Sequence, residues 1–250
     1  KKNAAALRIS PYDGIFYLHL NTSKAPFDDA RVRRAFDRAV DRSRLVRQVL
    51  TGGESPAWSL IPPSMTKQKM AIRSYDPASA RKLLAEAGYG ADKRFPEVEL
   101  AFNSNDKNRR LAEFLQRNLK EALGVEVRLR NLEWGAYLEL LSTGDYQLGQ
   151  LNLGGFDALD FLSLLDAPDN RSRWQHEGYS QLAARAREAP TMADREAVIG
   201  KLYRLLEVEM PLVPVFQMTR QALVRDGLKG FETTPDNRHP FRWMRWEEGT

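Results

Sequence analysis

An α/β domain, with helices packed on the faces of a sheet, is the fold class this sequence predicts. Three observations carry it. Between residues 98 and 153 the apolar positions switch from a period of two to a period near 3.6 and back, giving the order strand, helix, strand, helix, strand. After Ala158 helical spacing dominates, until prolines at 211 and 214 bracket a last apolar run. The chain has 250 residues of which 42% are hydrophobic, enough to bury a core without disulfides or metal.

In chain order, Gly14 to Leu20, rich in Ile15, Phe16 and Tyr17, reads as a strand, and Asn21 to Asp29 as a turn region. Val32, Ala35, Phe36, Ala39 and Val40 then recur at helical spacing, with Arg33, Arg34, Asp37, Arg38 and Asp41 expected on a solvent face. A second helical group, Leu45, Val46, Val49 and Leu50, stops at Gly52-Gly53. Residues 52 to 75 have no period and hold Pro56, Pro62 and Pro63, the mark of a long loop with a functional or mobile role. Asp76-Pro77 opens a helix with inner positions Ala80, Leu83, Leu84 and Ala87, and Gly88 closes it.

Val98, Leu100 and Phe102 alternate as a strand, and Leu111 to Leu123 forms an amphipathic helix ended by Gly124. Val125, Val127 and Leu129 alternate again; Trp134 to Leu141 reads as a helix and Tyr146 to Leu153 as a strand. Helices follow near 158–165, 178–188 and 191–209. Two short strands are expected at Pro211 to Val215 and Ala222 to Val224, and another at Phe241 to Trp246. There is no internal repeat or low-complexity tract.

Composition narrows the chemistry. No cysteine is present, which removes disulfides, thiolate metal sites and cysteine nucleophiles. A formal charge of +5 is spread along the chain, so it reads as a solvated basic surface with no nucleic-acid footprint. His19, His176 and His239 are far apart and belong to no metal motif; neither a catalytic nor a metal site is expected. No G-x-S-x-G elbow or Walker loop occurs, and Gly88-Tyr89-Gly90 follows a helix, so it reads as a helix end with a turn. Asp28-Asp29 precedes a helix and reads as a cap; Glu247-Glu248 forms a second acidic pair. Trp58, Trp134, Tyr137 and Phe156 stand near loops or element ends, where packing and ligand contact are both open. Lys1-Lys2 is followed by too short an apolar run for a signal peptide.

The segment Leu20-Asn21-Thr22-Ser23-Lys24-Ala25-Pro26-Phe27-Asp28-Asp29-Ala30-Arg31-Val32-Arg33-Arg34-Ala35-Phe36, running on to Ala39-Val40-Asp41-Arg42, resembles the family-5 solute-binding proteins, which include oligopeptide-, dipeptide- and nickel-binding members. Their run reads N-x-x-x-x-P-F-x-D-x-x-V-R-x-A-x-x-x-A-[IV]-D-R. The likeness continues at Gly52-Gly53, Ile61-Pro62-Pro63, Tyr75-Asp76-Pro77, Ala80 to Tyr89, Leu123 to Val127, Glu133-Trp134, Gly144-Asp145-Tyr146 and Pro211 to Val215, so it covers nearly the whole chain.

The resemblance implies a periplasmic-binding-protein-like type II lobe, a mixed sheet flanked by helices. Family members have two lobes, and residues 1–250 resemble the second, with Phe241 to Trp246 as a return strand and the first lobe absent. The implied function is the substrate-binding component of an ABC importer, periplasmic or extracellular and possibly lipid-anchored, with no enzyme activity and no cofactor. It would be a monomer that captures a peptide or other small solute between the lobes and hands it to the permease subunits. The alternative is the solute-sensing domain of a transcription regulator.

Peptide binders of the family carry a W-x-x-D-Y-x-[DE]-P-like stretch whose first aspartate pairs with the ligand's amine. With Asp157 set at the acidic position before the proline, Gly154 stands at that anchor. Leu151, Gly155 and Ala158 then replace the tryptophan, tyrosine and proline. The candidate ligand-binding residues are Asn152, Leu153, Gly154, Gly155, Phe156 and Asp157, with Trp134 and Tyr17 as walls.

Overall fold

The computed structural model describes residues 6–68, 71–166, 170–236 and 238–247. Lys1-Lys2-Asn3-Ala4-Ala5 and Glu248 therefore lie outside the described residues. The first strand, β1 (Leu7–Leu20), sets the layering. Successive strand side chains point to opposite faces. Phe16, Leu18 and Leu20 enter one apolar cluster, and Ile15 and Tyr17 another.

Helices α1 (Ala30–Ala39), α2 (Arg42–Val49), α3 (Pro77–Glu86) and α4 (Asp106–Leu123) bury their stripes in the first cluster. The other face carries α5 (Trp134–Thr143), which packs on Ala101, and α6 (Ala158–Leu162), α7 (Glu177–Arg187) and α8 (Met192–Glu209), which pack on Ile15 and Tyr17. The remaining strands are β2 (Ser55–Pro56), β3 (Val98–Asn103), β4 (Val127–Leu132), β5 (Leu148–Gly154) and β6 (Leu212–Leu223). They join β1 in one sheet of order β2-β6-β1-β5-β3-β4. β3 runs parallel to β4 and β5, whereas β1 is antiparallel to β5 and β6, so the sheet is mixed.

Local sequence sets the boundaries. Asp29, Asp41, Asp76, Asn105 and Thr191 cap α1, α2, α3, α4 and α8 through side-chain oxygens. Gly124 and Gly144 end α4 and α5 at φ of 72° and 75°, which glycine adopts without strain.

Four expectations are corrected. β1 begins at Leu7, well before Gly14. The two strands expected near 211–215 and 222–224 are one 12-residue strand, β6. Its polar middle, Gln217 to Gln221, reads as a loop in sequence yet pairs with the first half of β1, where Pro11 faces Thr219 and Leu7 faces Leu223. At the tail, Phe241–Trp243 is a 3-10 turn and only β8 (Arg245–Trp246) is strand. It pairs with β7 (Leu228–Lys229), apart from the main sheet.

The fourth correction concerns the polar side of α1, which is not a solvent face. Arg33 and Asp37 are buried because α3, α4 and α8 pack around α1. Asp37 binds Arg42 Nη2 at 2.5 Å and Arg73 Nε at 2.8 Å. Arg42 donates further to the carbonyls of Ala57 at 3.0 Å and Pro214 at 2.8 Å, and Arg73 to that of Trp58 at 2.6 Å. The cluster ties the irregular 52–75 stretch to α1 and β6. A buried charge persists only when paired and hydrogen-bonded in this way.

A groove at the open end of the sheet

In open α/β sheets, ligand-binding side chains gather beyond the carboxyl ends of parallel strands. Here those ends are Asn103 on β3, Leu132 on β4 and Gly154 on β5. Asn103, with Leu151 and Asn152 just before the end of β5 and Trp134 just after β4, borders a groove of about 450 Å³. Phe16 and Phe216, stacked at 4.7 Å, are buried beneath it, beside Met218. Asn103, Asn105, Asn108, Gln150 and Asn152 line it with amides, and Lys107, Trp134 and Leu151 complete the lining. No carboxylate faces it among the described residues.

The electrostatics follow from those residues. Lys107 Nζ lies 2.9 Å from Glu54 and 5.3 Å from the centre of the Phe216 ring. Burial pushes the Glu54 carboxyl upward, but the hydrogen bond from Lys107 and backbone donors outweigh it and hold it below its usual range. Gln150 is buried; its Nε2 donates to the Asn108 carbonyl at 3.0 Å, while its Oε1 has no partner among the described residues. A second concavity, of about 510 Å³, lies between the 55–68 segment, Ile15 and Tyr203.

The structure brings two of the expected residues, Asn152 and Trp134, together in the groove, with Trp134 48% exposed as the first residue of α5. Gly154 is exposed at the end of β5. Phe156 is 75% exposed beyond it, its N–H held by Asp160 Oδ2 at 2.7 Å. Gly155 is buried and donates its N–H to the Asp13 carbonyl at 3.1 Å. Asp157 is engaged structurally: it caps α6 through Leu159 N at 2.8 Å and pairs with Arg195 at 3.0 Å. Leu153 and Tyr17 lie on the opposite face among the helices, where burial pushes the Tyr17 hydroxyl far above its usual range.

The floor pair Phe16–Phe216 and the amides Asn103, Asn105 and Asn108 escape sequence reasoning. The only signal for the amides is the polar run Asn103-Ser104-Asn105-Asp106-Lys107-Asn108 after a strand. His19 is buried 3.3 Å from the Tyr137 hydroxyl, and burial lowers its pKa to about 3. His176 caps α7. Among the described residues no three His, Asp or Glu side chains cluster as metal ligands, and no helix is long and apolar enough to cross a membrane.

A mixed sheet flanked by helices, with its groove at the strand ends, is the type II periplasmic-binding-protein-like fold. It is shared with the unliganded open form of the murein tripeptide-binding protein MppA, at a TM-score of 0.89 and 28% identity over 98% of this chain and 50% of that one. The family model for bacterial extracellular solute-binding proteins, family 5 Middle, matches residues 1–173. The chain belongs to that family.

Among curated relatives, the periplasmic murein peptide-binding protein MppA of Escherichia coli is 30% identical over 232 residues, 88% of this chain and 43% of MppA. The periplasmic oligopeptide-binding protein OppA of Salmonella typhimurium is 30% identical over 236 residues, 90% of this chain and 43% of OppA. The probable deoxycholate-binding periplasmic protein YgiS of Escherichia coli is 31% identical over 238 residues, 90% of this chain and 44% of YgiS. The chain thus spans less than half the length of the curated relatives it matches.

Proposed function

We propose that this chain forms one lobe of the substrate-binding component of an ABC importer, and that the groove between Trp134 and Asn152 is its share of the ligand site. The solute is an oligopeptide or a similar small molecule, captured without bond making or breaking and passed to the permease. The observation that carries this reading is the open end of one sheet face. Helices α1 to α4 cover Leu18 and Leu20, whereas Phe16, Phe216 and Asn152 border a cleft. An aromatic floor edged by amides suits a peptide: rings take up apolar side chains, and amides both donate to carbonyls and accept from N–H groups.

The relatives named for murein peptides and oligopeptides support a peptide, and the one named for deoxycholate supports a broader solute range. All three are periplasmic by name, which supports a periplasmic or extracellular setting. The second wall of the cleft belongs to the half of those relatives that this chain does not match, and lobe closure around the solute signals occupancy.

The test is isothermal titration of the protein expressed from its complete gene against a mixed pool of tri- to pentapeptides. Saturable binding at about 10 μM or tighter is expected. Trp134→Ala is expected to weaken it about tenfold at an unchanged melting temperature, since the side chain is half exposed and contributes to the ligand more than to the core. No saturable binding, or full affinity without Trp134, overturns the reading.

A further inference from the structure

We propose that Tyr12 and Arg220 form a plate beside the groove that reads a carboxylate, so that the captured solute needs a free carboxylate and needs no free amine. This deepens the solute-capture reading above and rests on it.

The plate is built from a glycine pair. Gly14 on β1 faces Gly154 on β5 across the strand ladder. The Tyr12 ring covers both: a Cβ on either glycine would run into it, and one on Gly154 would meet the Tyr12 hydroxyl. A side chain at residue 154 would have to move the Tyr12 ring aside, so with Tyr12 in this position the place of the family's acidic anchor is taken by the tyrosine. On the same ring stacks the Arg220 guanidinium, with its central carbon 3.9 Å from the ring centre. Stacking holds a guanidinium flat and leaves its N–H edge free for a planar anion. Arg220 is exposed and takes part in none of the ion pairs among the described residues.

Plate and groove are continuous. A Cβ on Gly14 would lie 3.1 Å from the Met218 sulfur, and Met218 lines the groove. Phe216, Met218 and Arg220 alternate along β6 and share one sheet face. The charge balance of the combined surface is then one-sided. The Lys107 charge is offset by Glu54, and among the described residues no carboxylate lines the groove and none pairs with Arg220. Among the described residues no carboxylate here would pair with an ammonium group. The amides of Asn103, Asn105, Asn108 and Asn152 at its lining suit the N–H and C=O groups of a peptide instead. Peptide amide groups for that lining and a carboxylate for Arg220 together describe a peptide, or an N-acylated amino acid or peptide, with a free carboxyl end.

The experiment titrates the protein from its complete gene with one mixed tripeptide pool in four terminal forms: free, N-acetylated, C-amidated, and blocked at both ends. Acetylation is expected to change affinity by less than about threefold and amidation to weaken it at least about tenfold. Arg220→Ala, at an unchanged melting temperature because the side chain is exposed, is expected to erase the difference between acid and amide forms. Tyr12→Phe, which keeps the ring, is expected to preserve it. A strong loss on acetylation with none on amidation overturns the inference alone, as does acid-over-amide preference that survives Arg220→Ala. Failure of all four pools to bind overturns the solute-capture reading and the inference with it.

Discussion

Asp37→Asn is the sharpest probe of how this fold is held together. Asp37 is 1% exposed and its partner Arg42 is 3% exposed. Neutralising Asp37 leaves the Arg42 guanidinium buried with carbonyl partners and no counter-charge, and leaves Arg73 with Glu207 at 3.5 Å as its counter-charge beside the Trp58 carbonyl. Removing one member of a buried pair costs about 3–5 kcal/mol. Asparagine keeps one acceptor for Arg42, so the lower end, about 3 kcal/mol, is expected. At about 2–4 °C per kcal/mol for a chain of this size, the melting temperature falls by about 6–12 °C. Urea titration at pH 7 measures the free energy and calorimetry the temperature.

The pH dependence has a definite sign. Burial pushes the Asp37 carboxyl upward, but the charges of Arg42 and Arg73 outweigh it and hold it below its ordinary value. A folded-state value below the unfolded one gives stability that is complete above about pH 4 and is lost as the pH falls further. The variant lacks that acid limb. A loss below about 1 kcal/mol would refute the reasoning, since it would mean that water reaches the cluster and screens it. A second check is Asp37→Leu combined with Arg42→Met, which is expected to recover part of the loss because both charges leave the core together.

Phe36, fully buried against Phe27 at 5.0 Å, is expected to cost about 3–5 kcal/mol on Phe36→Ala, against under about 0.5 kcal/mol for half-exposed Arg38→Ala, both by urea titration. His19, whose folded pKa of about 3 lies below its unfolded value, is expected to make stability fall as the pH drops below about 6.5, by up to about 1.4 kcal/mol per pH unit. A His19→Gln variant titrated from pH 7 to 4.5 should lack that slope. Gly154→Asp is expected to cost about 1–3 kcal/mol in the same assay by displacing Tyr12, and Tyr12→Ala in the same chain should relieve it. The 250-residue chain alone is expected to bind the peptide pool more weakly than about 100 μM by calorimetry, because one wall leaves its hydrogen bonds in competition with water.

The elements that sequence predicts well are those with a cap at one end and an unbroken stripe between. Asp76-Pro77 starts α3, and Gly124 closes α4. Such signals are local, so no knowledge of neighbours is needed. β6 is the counter-example. Its first half is apolar because it is buried, and its second half is polar because it pairs with β1 beyond the helices; hydrogen bonding continues where burial stops. A reading based on burial therefore splits it. The buried face of α1 fails for the opposite reason. Arg33 and Asp37 look like part of a solvated row, and only the three-dimensional placement of Glu209 beside Arg33 and of Arg42 and Arg73 beside Asp37 makes their burial tolerable.

The groove sits where these two failures meet. Period-two alternation shows that Phe16 and Tyr17 face opposite ways, but it does not say which way is covered. That depends on where α1 to α4 stop, and on Phe216, which arrives from the far end of the chain to stack on Phe16. Likeness to the family directs attention to residues 152–157, and the structure divides that segment by task. Asp157 and Gly155 hold the turn into α6, while Asn152 and Gly154 look out from the sheet. Asp157 caps α6 and pairs with Arg195, and the proposed site is lined by amides and rings beside the Arg220 cation. A binding surface assembled from strand ends can change its charge preference through residues such as Tyr12 and Arg220, which lie outside the recognisable motif. On the solute-capture reading proposed above, specificity is to be read from the sheet face, strand by strand, rather than from the loop.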